Sequence, residues 1–180
     1  MFEINLRSVT IDDASNIFIL IDKNRNILRQ WLTFIDDSTN IDFTTEYICK
    51  TSLYNTNGDI VYVIEYNHNI VGLIGFEAIN NYRKKAELGY WLCPEYQGKG
   101  IMKKAALLAL KFGFEKYSFN RIEIKCASNN IRSIKIAEYL GFTYEGTERD
   151  GELLSDGKFS DVRVYSMLRR EYNYNFLRES

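Results

Sequence analysis

A chain of 180 residues, 46% of them hydrophobic and 14% aromatic, carries enough apolar material for a packed core and is expected to form one domain over residues 1–180. Its 23 Lys and Arg against 24 Asp and Glu give a formal charge of −1, which removes any global electrostatic basis for binding nucleic acid or an anionic membrane. Three cysteines without a Cys-x-x-Cys pair (Cys49, Cys93, Cys126) and a lone histidine, His68, argue against a disulfide framework, a zinc site or a histidine-based triad.

The run from Met1 to Arg7 alternates like a strand and lacks the basic start and long apolar stretch of a signal peptide, so a cytoplasmic location is expected. No segment approaches the length of a membrane span. Thr10, followed by Asp12 and Asp13, reads as a helix start, and Ala14, Ile17, Phe18 and Ile21 continue at helical spacing. A broken helical region follows through Leu28-Arg29-Gln30-Trp31-Leu32, with a second helix expected from a cap at Thr44 through Tyr47 to Leu53. Then the period changes. Ile60–Ile64 and Ile70–Phe76 flank the polar turn Asn67-His68-Asn69 as a β-hairpin, and Ala86–Leu92 adds a third strand.

Beyond Pro94, the spacing of Ile101, Ala105, Leu108 and Phe112 predicts an amphipathic helix, and Arg121–Cys126 alternates as a strand. Asn129-Asn130 supplies a cap for a short helix ending at Gly141, where a left-handed residue is expected. Phe142–Tyr144 and Val162–Met167 read as two last strands, joined by a polar loop from Glu148 to Lys158. The order of strand, helices, three strands, helix, strand, helix and two strands predicts a mixed α/β sheet, not an alternating Rossmann series.

The segment Gln97-Gly98-Lys99-Gly100-Ile101-Met102 lies between a strand and a helix, where backbone N–H groups meet the positive end of a helix dipole. Gly98 and Gly100 allow a positive φ and the close approach of a pyrophosphate, and Lys99, Lys103 and Lys104 add positive charge. Two other phosphate loops fail on inspection. A dinucleotide fingerprint needs glycine where Lys103 stands, and a Walker loop needs Ser or Thr where Gly100 stands. Pro94 cannot donate to a sheet ladder and marks the end of regular pairing.

Gln97, Gly100 and Pro94 resemble the pyrophosphate loop of the GNAT superfamily of N-acetyltransferases, and Met102, where that superfamily usually has Gly or Ala, resembles its branch acting on ribosomal-protein N-termini. Leu28–Leu32, Glu87–Trp91, Asn130–Ser133, Leu140-Gly141-Phe142 and Asp156-Gly157-Lys158 resemble that Rim-type branch in order and spacing. The resemblance implies a central mixed, mostly antiparallel sheet flanked by helices, whose fourth and fifth strands splay apart to admit the pantetheine arm of acetyl-CoA. It implies cofactor contacts from Trp91, Leu92 and Cys93, with the Leu92 N–H near the thioester carbonyl, and from the loop Gln97, Gly98, Lys99, Gly100, Ile101 and Met102. No metal is implied.

Acetyl transfer to an amine needs a neutral amine, a donor for the developing oxyanion and a proton for the departing thiolate. An α-amine, with a pKa near ~8 against ~10.4 for lysine, needs less help from a base. Through the resemblance, Glu152 falls at the general base and Ser133 at the proton donor to the thiolate. A solvated loop carboxylate and a first-turn serine bonding its own backbone are the plain alternatives. Asn130 reads as a helix cap and a cofactor contact. Trp31 and Phe34 read either as walls of the acceptor cleft or as helix-pair core, and Glu87 either attracts the amine or faces solvent. The tyrosine acid of many relatives is replaced by Ala137, and Tyr139 is expected to face elsewhere. The expected acceptor is a protein N-terminal α-amine. A polyamine, an amino acid, an aminoglycoside, or a CoA-binding sensor without turnover stand as alternatives, and a homodimer is as compatible with the sequence as a monomer.

Overall fold

The computed structural model describes residues 3–51 and 58–176. Strand β1 (Ile4–Ser8) is followed by helices α1 (Ala14–Leu28) and α2 (Ile41–Cys49), then by strands β2 (Ile60–Tyr66), β3 (Asn69–Asn80) and β4 (Lys85–Leu92). Helix α3 (Ile101–Lys111), strand β5 (Arg121–Ala127), helix α4 (Ile131–Tyr139), strands β6 (Thr143–Leu153) and β7 (Phe159–Leu168) and helix α5 (Arg169–Phe176) complete the order. Met1, Phe2 and Leu53, each assigned above to a strand or a helix, lie outside the described residues.

The seven strands form one sheet in the order β1-β2-β3-β4-β5-β7-β6. Every neighbouring pair is antiparallel except β4 with β5. Those two are parallel and register only at Lys85–Arg121, Ala86–Ile122 and Glu87–Glu123. Beyond that point β4 stays with β3 as far as Leu92 and β5 stays with β7 as far as Ala127, so the sheet forks.

The unbroken apolar run of β2 follows from burial on both faces. Tyr62 and Ile64 join the core beneath α3 and α4, whereas Val61 and Val63 join the core beneath α1 and α2. The Asn67-His68 turn has both residues at positive φ, 48° and 65°, as a two-residue hairpin connection of matching twist requires. At the start of the first helical segment Asp13 reaches back to the Thr10 N–H at 2.8 Å while holding Arg7 with both oxygens at 2.8 Å.

Three elements depart from the sequence reading. Helix α2 starts at Ile41, capped by Asn40, whose Oδ1 accepts from the Phe43 N–H at 3.2 Å; Thr44 is a buried residue inside the helix. Asn is at least as good a cap as Thr, and Thr44 lies with Ile48 on the buried side of the helix, where its side chain is packed instead of free to cap an end. The expected loop from Glu148 to Lys158 is largely strand, with only a tight turn at 154–158. β6 pairs with β7 on one edge only and is exposed along nearly its whole length, so it has no apolar alternation to reveal it. Helix α5, absent from the reading above, docks Tyr172 against Phe114 with ring centroids 4.8 Å apart.

The closed end of the fork is pinned by charge. Glu123 on β5, only 4% exposed, receives Lys85 at 2.8 Å and Arg121 at 2.7 Å, and Arg121 also donates to Glu145 Oε1 at 2.8 Å. Burial works against the Glu123 charge, but Lys85 and Arg121 outweigh it and lower its pKa. Arg121 and the Ser166 hydroxyl hold Glu145 down at about 2. Because the folded pKa is the lower one, the unfolded chain binds more protons in the acid range, so this contribution is present above the ordinary value of 4.5 and disappears as pH falls towards about 2. Glu145→Gln is therefore expected to flatten the stability-pH curve in that window, by no more than about 1 kcal/mol because the pair is partly exposed. Denaturant melts of both proteins at pH 3 and pH 7 check this; equal losses at the two pH values contradict it.

Candidate active site

The fork opens a cavity of about 1000 Å³, bounded by β4 and β5, the starts of α3 and α4, the segment after α1 and the β6–β7 hairpin. Cys93 donates its N–H to the Val71 carbonyl at 2.9 Å, so β4 uses that residue to pair with β3. By strand alternation Leu92 turns its N–H and C=O to the other edge, the one β5 has left. There the Leu92 carbonyl accepts from Gln97 Nε2 at 3.0 Å. The other end of the Gln97 carboxamide accepts from Arg132 on α4, so one side chain ties the β4 end, the loop and α4 together.

Gly98 and Gly100 both have φ of +76°, and a Cβ at either would meet nothing within 4 Å. Glycine is required here by backbone conformation and by the open space in front, not by crowding within the protein. Gly100 is the N-cap of α3, and no side chain caps that helix, so its first N–H groups face the cavity uncapped. This arrangement suits a pyrophosphate: outward N–H groups and a helix N-terminus on the cavity wall.

At the start of α4, Asn130 Oδ1 caps the helix by accepting the Ser133 N–H at 3.2 Å. The Ser133 hydroxyl lies 2.8 Å from the Tyr90 hydroxyl. Burial raises the pKa of Tyr90 well above that of a free phenol, so the pair stays protonated. Cys126 lines the same wall; burial raises its thiol pKa, with the hydrogen bond to Ser133 acting the other way.

The opposite end of the cavity is acidic. Glu77 on β3 and Glu87 on β4 are register partners, and Glu148 and Glu152 approach from β6. The Glu77 carboxylate is reached by solvent through the cavity but packed by protein elsewhere, its Oε1 lying over Gly89. Burial first, then the charges of Glu87, Asp59 and Glu152, push it up to about 7. Burial also raises Glu87, with Lys125 opposing. Trp31 and Phe34, from the segment after α1, close this end, where Arg29 holds Asp36 at 2.8 Å.

Thus Trp31, Phe34, Glu87, Trp91, Leu92, Gln97, Gly98, Gly100, Ile101, Met102, Asn130, Ser133 and Glu152 all border one cavity. Two expected residues do not. Cys93 is fully buried, its N–H bonded to Val71 and its carbonyl to the Tyr96 N–H at 3.0 Å, so it has no backbone group to offer a ligand. Lys99 is not part of the cavity lining; its Nζ lies 5.2 Å from the ring centroid of Tyr96. Ala137 is buried, and Tyr139 is exposed outside the cavity beneath Lys103. The tyrosine whose hydroxyl meets Ser133 is Tyr90 instead. Tyr90, Cys126 and Glu77 escaped the sequence reading because strand pairing and the fork bring them to the site; only the hairpin register would have placed Glu77 opposite Glu87. Among the described residues no group of three or more His, Cys, Asp or Glu is placed to hold a metal, and no helix is long and apolar enough to cross a membrane.

A forked sheet with an uncapped, glycine-edged helix start at the mouth of the fork defines an acyl-CoA-dependent transferase. The chain belongs to the GNAT acetyltransferases: the family model described as "Acetyltransferase (GNAT) domain" matches residues 3–143. Among relatives, YdaF of Bacillus subtilis (strain 168), provisionally named a ribosomal N-acetyltransferase, is 33% identical over 94% of this chain and 93% of its own length. Spermidine N(1)-acetyltransferase of Escherichia coli (strain K12) is 26% identical over 94% of this chain and 88% of its own. A solved structure of RimL, described as a ribosomal L7/L12 α-N-protein acetyltransferase in complex with coenzyme A, superposes with a TM-score of 0.85 at 29% identity, covering 92% of this chain and 93% of that one. The protein is an acetyl-CoA-dependent N-acetyltransferase.

Proposed function

We propose that the acceptor is the α-amine of a protein N-terminus, of the kind named for RimL, a reading in keeping with the ribosomal N-acetyltransferase name of YdaF. The observation that carries this reading is the division of one cavity into a phosphate-accepting end at Gly98–Met102 and a carboxylate-bearing end at Glu77, Glu87 and Glu152. Acetyl-CoA supplies the acetyl group as a thioester, and the carboxylates draw in and deprotonate the incoming ammonium. Glu152 takes the amine proton, directly or through water, and an α-amine near pKa ~8 needs only a modest base. The Leu92 N–H stabilises the oxyanion, and Ser133, paired with Tyr90, returns a proton to the departing thiolate. Asn130 shapes the cofactor wall, and Trp31 and Phe34 bound the acceptor. One domain working in the cytoplasm accounts for the whole described chain.

A polyamine is the second reading, favoured by four glutamates around one cavity and by the spermidine-acetylating relative. Release of CoA thiol is the measurement that separates them. With N-terminal decapeptides, spermidine and an aminoglycoside as acceptors, the peptides are expected to give a kcat/KM at least about tenfold above the others. Turnover of spermidine alone overturns the N-terminal reading.

A further inference from the structure

Beside the acidic end of the cleft lies a second cavity of about 250 Å³, between α1, α2 and the sheet. Its walls include Ile17 and Ile21 from α1, Phe43 from α2, Val61 from β2 and Leu73 from β3. Phe34, Glu77, Gly89 and Trp91 border this cavity and the cleft alike, so the two meet where the acceptor amine would arrive. The volume exceeds the roughly 150 Å³ of an apolar cavity that holds benzene, so a large side chain has room.

Of the groups given a part in moving protons, only Glu77 and Tyr90 border this space, both on the wall it shares with the cleft. The phosphate-accepting loop and the open edge of β4 lie elsewhere in the cleft, and the base, the oxyanion donor and the thiolate acid are all outside it. Three titratable groups on its wall, Asp59, Tyr47 and Glu77, all have their pKa raised chiefly by burial, so the surroundings favour uncharged forms. Ser38 and Thr44, 0% and 2% exposed, also border it, and their hydroxyls have no hydrogen-bond partner among the described residues. Away from the Glu77 and Asp59 carboxylates, an ammonium placed here would give up its water for aliphatic and aromatic walls.

We propose that this cavity is a selectivity pocket for the side chain on the carbon next to the reacting amine, and that it selects acceptors beginning with a large apolar residue such as Met, Leu or Phe. The inference rests on the N-terminal α-amine reading. Geometry gives it its direction: that side chain is the acceptor group attached closest to the nitrogen, and the shared wall at Glu77, Gly89 and Trp91 is where the pocket joins the site of transfer. Apolar walls then discriminate by the water-exposed surface that the side chain gives up.

The test uses the full chain, acetyl-CoA, and decapeptides X-Ala-Lys followed by a common tail, with X as Gly, Ser, Leu, Met or Phe, and spermidine in parallel. Expected is a kcat/KM at least about tenfold higher for Leu, Met and Phe than for Gly and Ser, a margin that a few methylenes in an apolar pocket supply. Phe43→Trp, which fills the pocket from a partly exposed position, is expected to shrink that margin to less than about threefold, with a melting curve reporting that the variant is folded. Peptide turnover that is equal across X in the parent protein overturns the pocket and leaves the N-terminal reading intact. Acetylation of spermidine with none of any peptide overturns both. The parent series alone decides the matter if Phe43→Trp fails to fold.

Discussion

Gly100→Asp is expected to bind acetyl-CoA more than about a hundredfold more weakly than the parent protein. Two effects add. At φ of +76° a side chain costs on the order of 1 kcal/mol of backbone strain, which Asp tolerates better than most residues. The larger effect is charge, because the new carboxylate stands at the start of α3, where the outward N–H groups invite a pyrophosphate. A like-charge contact near a protein surface is worth on the order of 2–4 kcal/mol. Gly100→Ala separates the two, since it carries the strain without the charge and is expected to lose less than about tenfold. Calorimetric titration with acetyl-CoA measures both variants, and an affinity retained by Gly100→Asp removes the loop from cofactor binding.

Glu152→Gln is expected to lower kcat about a hundredfold at neutral pH, the lower end of what a positioned proton acceptor supplies, with acetyl-CoA affinity unchanged. The glutamine keeps shape and hydrogen bonding but takes no proton. Glu77 is the informative comparison, because its carboxyl is pushed up to about 7 in the same cavity. If Glu77 ionisation contributes, kcat rises with pH through about 7, and that limb vanishes in Glu77→Gln while persisting in Glu152→Gln. A full pH profile of the Glu152 variant that overlays the parent profile removes Glu152 as the base.

The glycine loop was legible because its form depends on backbone. Glycines at a strand-to-helix junction state both a conformation and a purpose, and Gly98 and Gly100 adopt the positive φ that their identity implies. Leu92 and Cys93 entered the reading together through the resemblance, and the structure separates them: consecutive strand residues point to opposite edges, and Cys93 is the one that pairs with β3. The acceptor half depends on register and on an exposed hairpin, which local pattern does not encode. Glu77 and Glu87 are ten positions apart and become neighbours only through β3–β4 pairing. β6 hid for the same reason it is useful: an edge strand with both faces wet has no alternation, and its polar residues face the cleft. Asn40 and Thr44 show a smaller failure of this kind, since both are good caps and only burial of the helix face decides between them.

The fork also makes the sheet a structure with a seam. Blocks β1–β4 and β5–β7 share three registered pairs, all at one end, fastened by Lys85, Arg121 and Glu123. Residues of both blocks line the cavity in the remaining gap, so a cofactor held there as proposed would bridge them. It binds only the folded chain and adds stability by mass action, about 2.7 kcal/mol when present at a hundred times its dissociation constant. Saturating acetyl-CoA is therefore expected to raise the unfolding midpoint of the chain, and melts with and without it measure how far the two blocks depend on what lies between them.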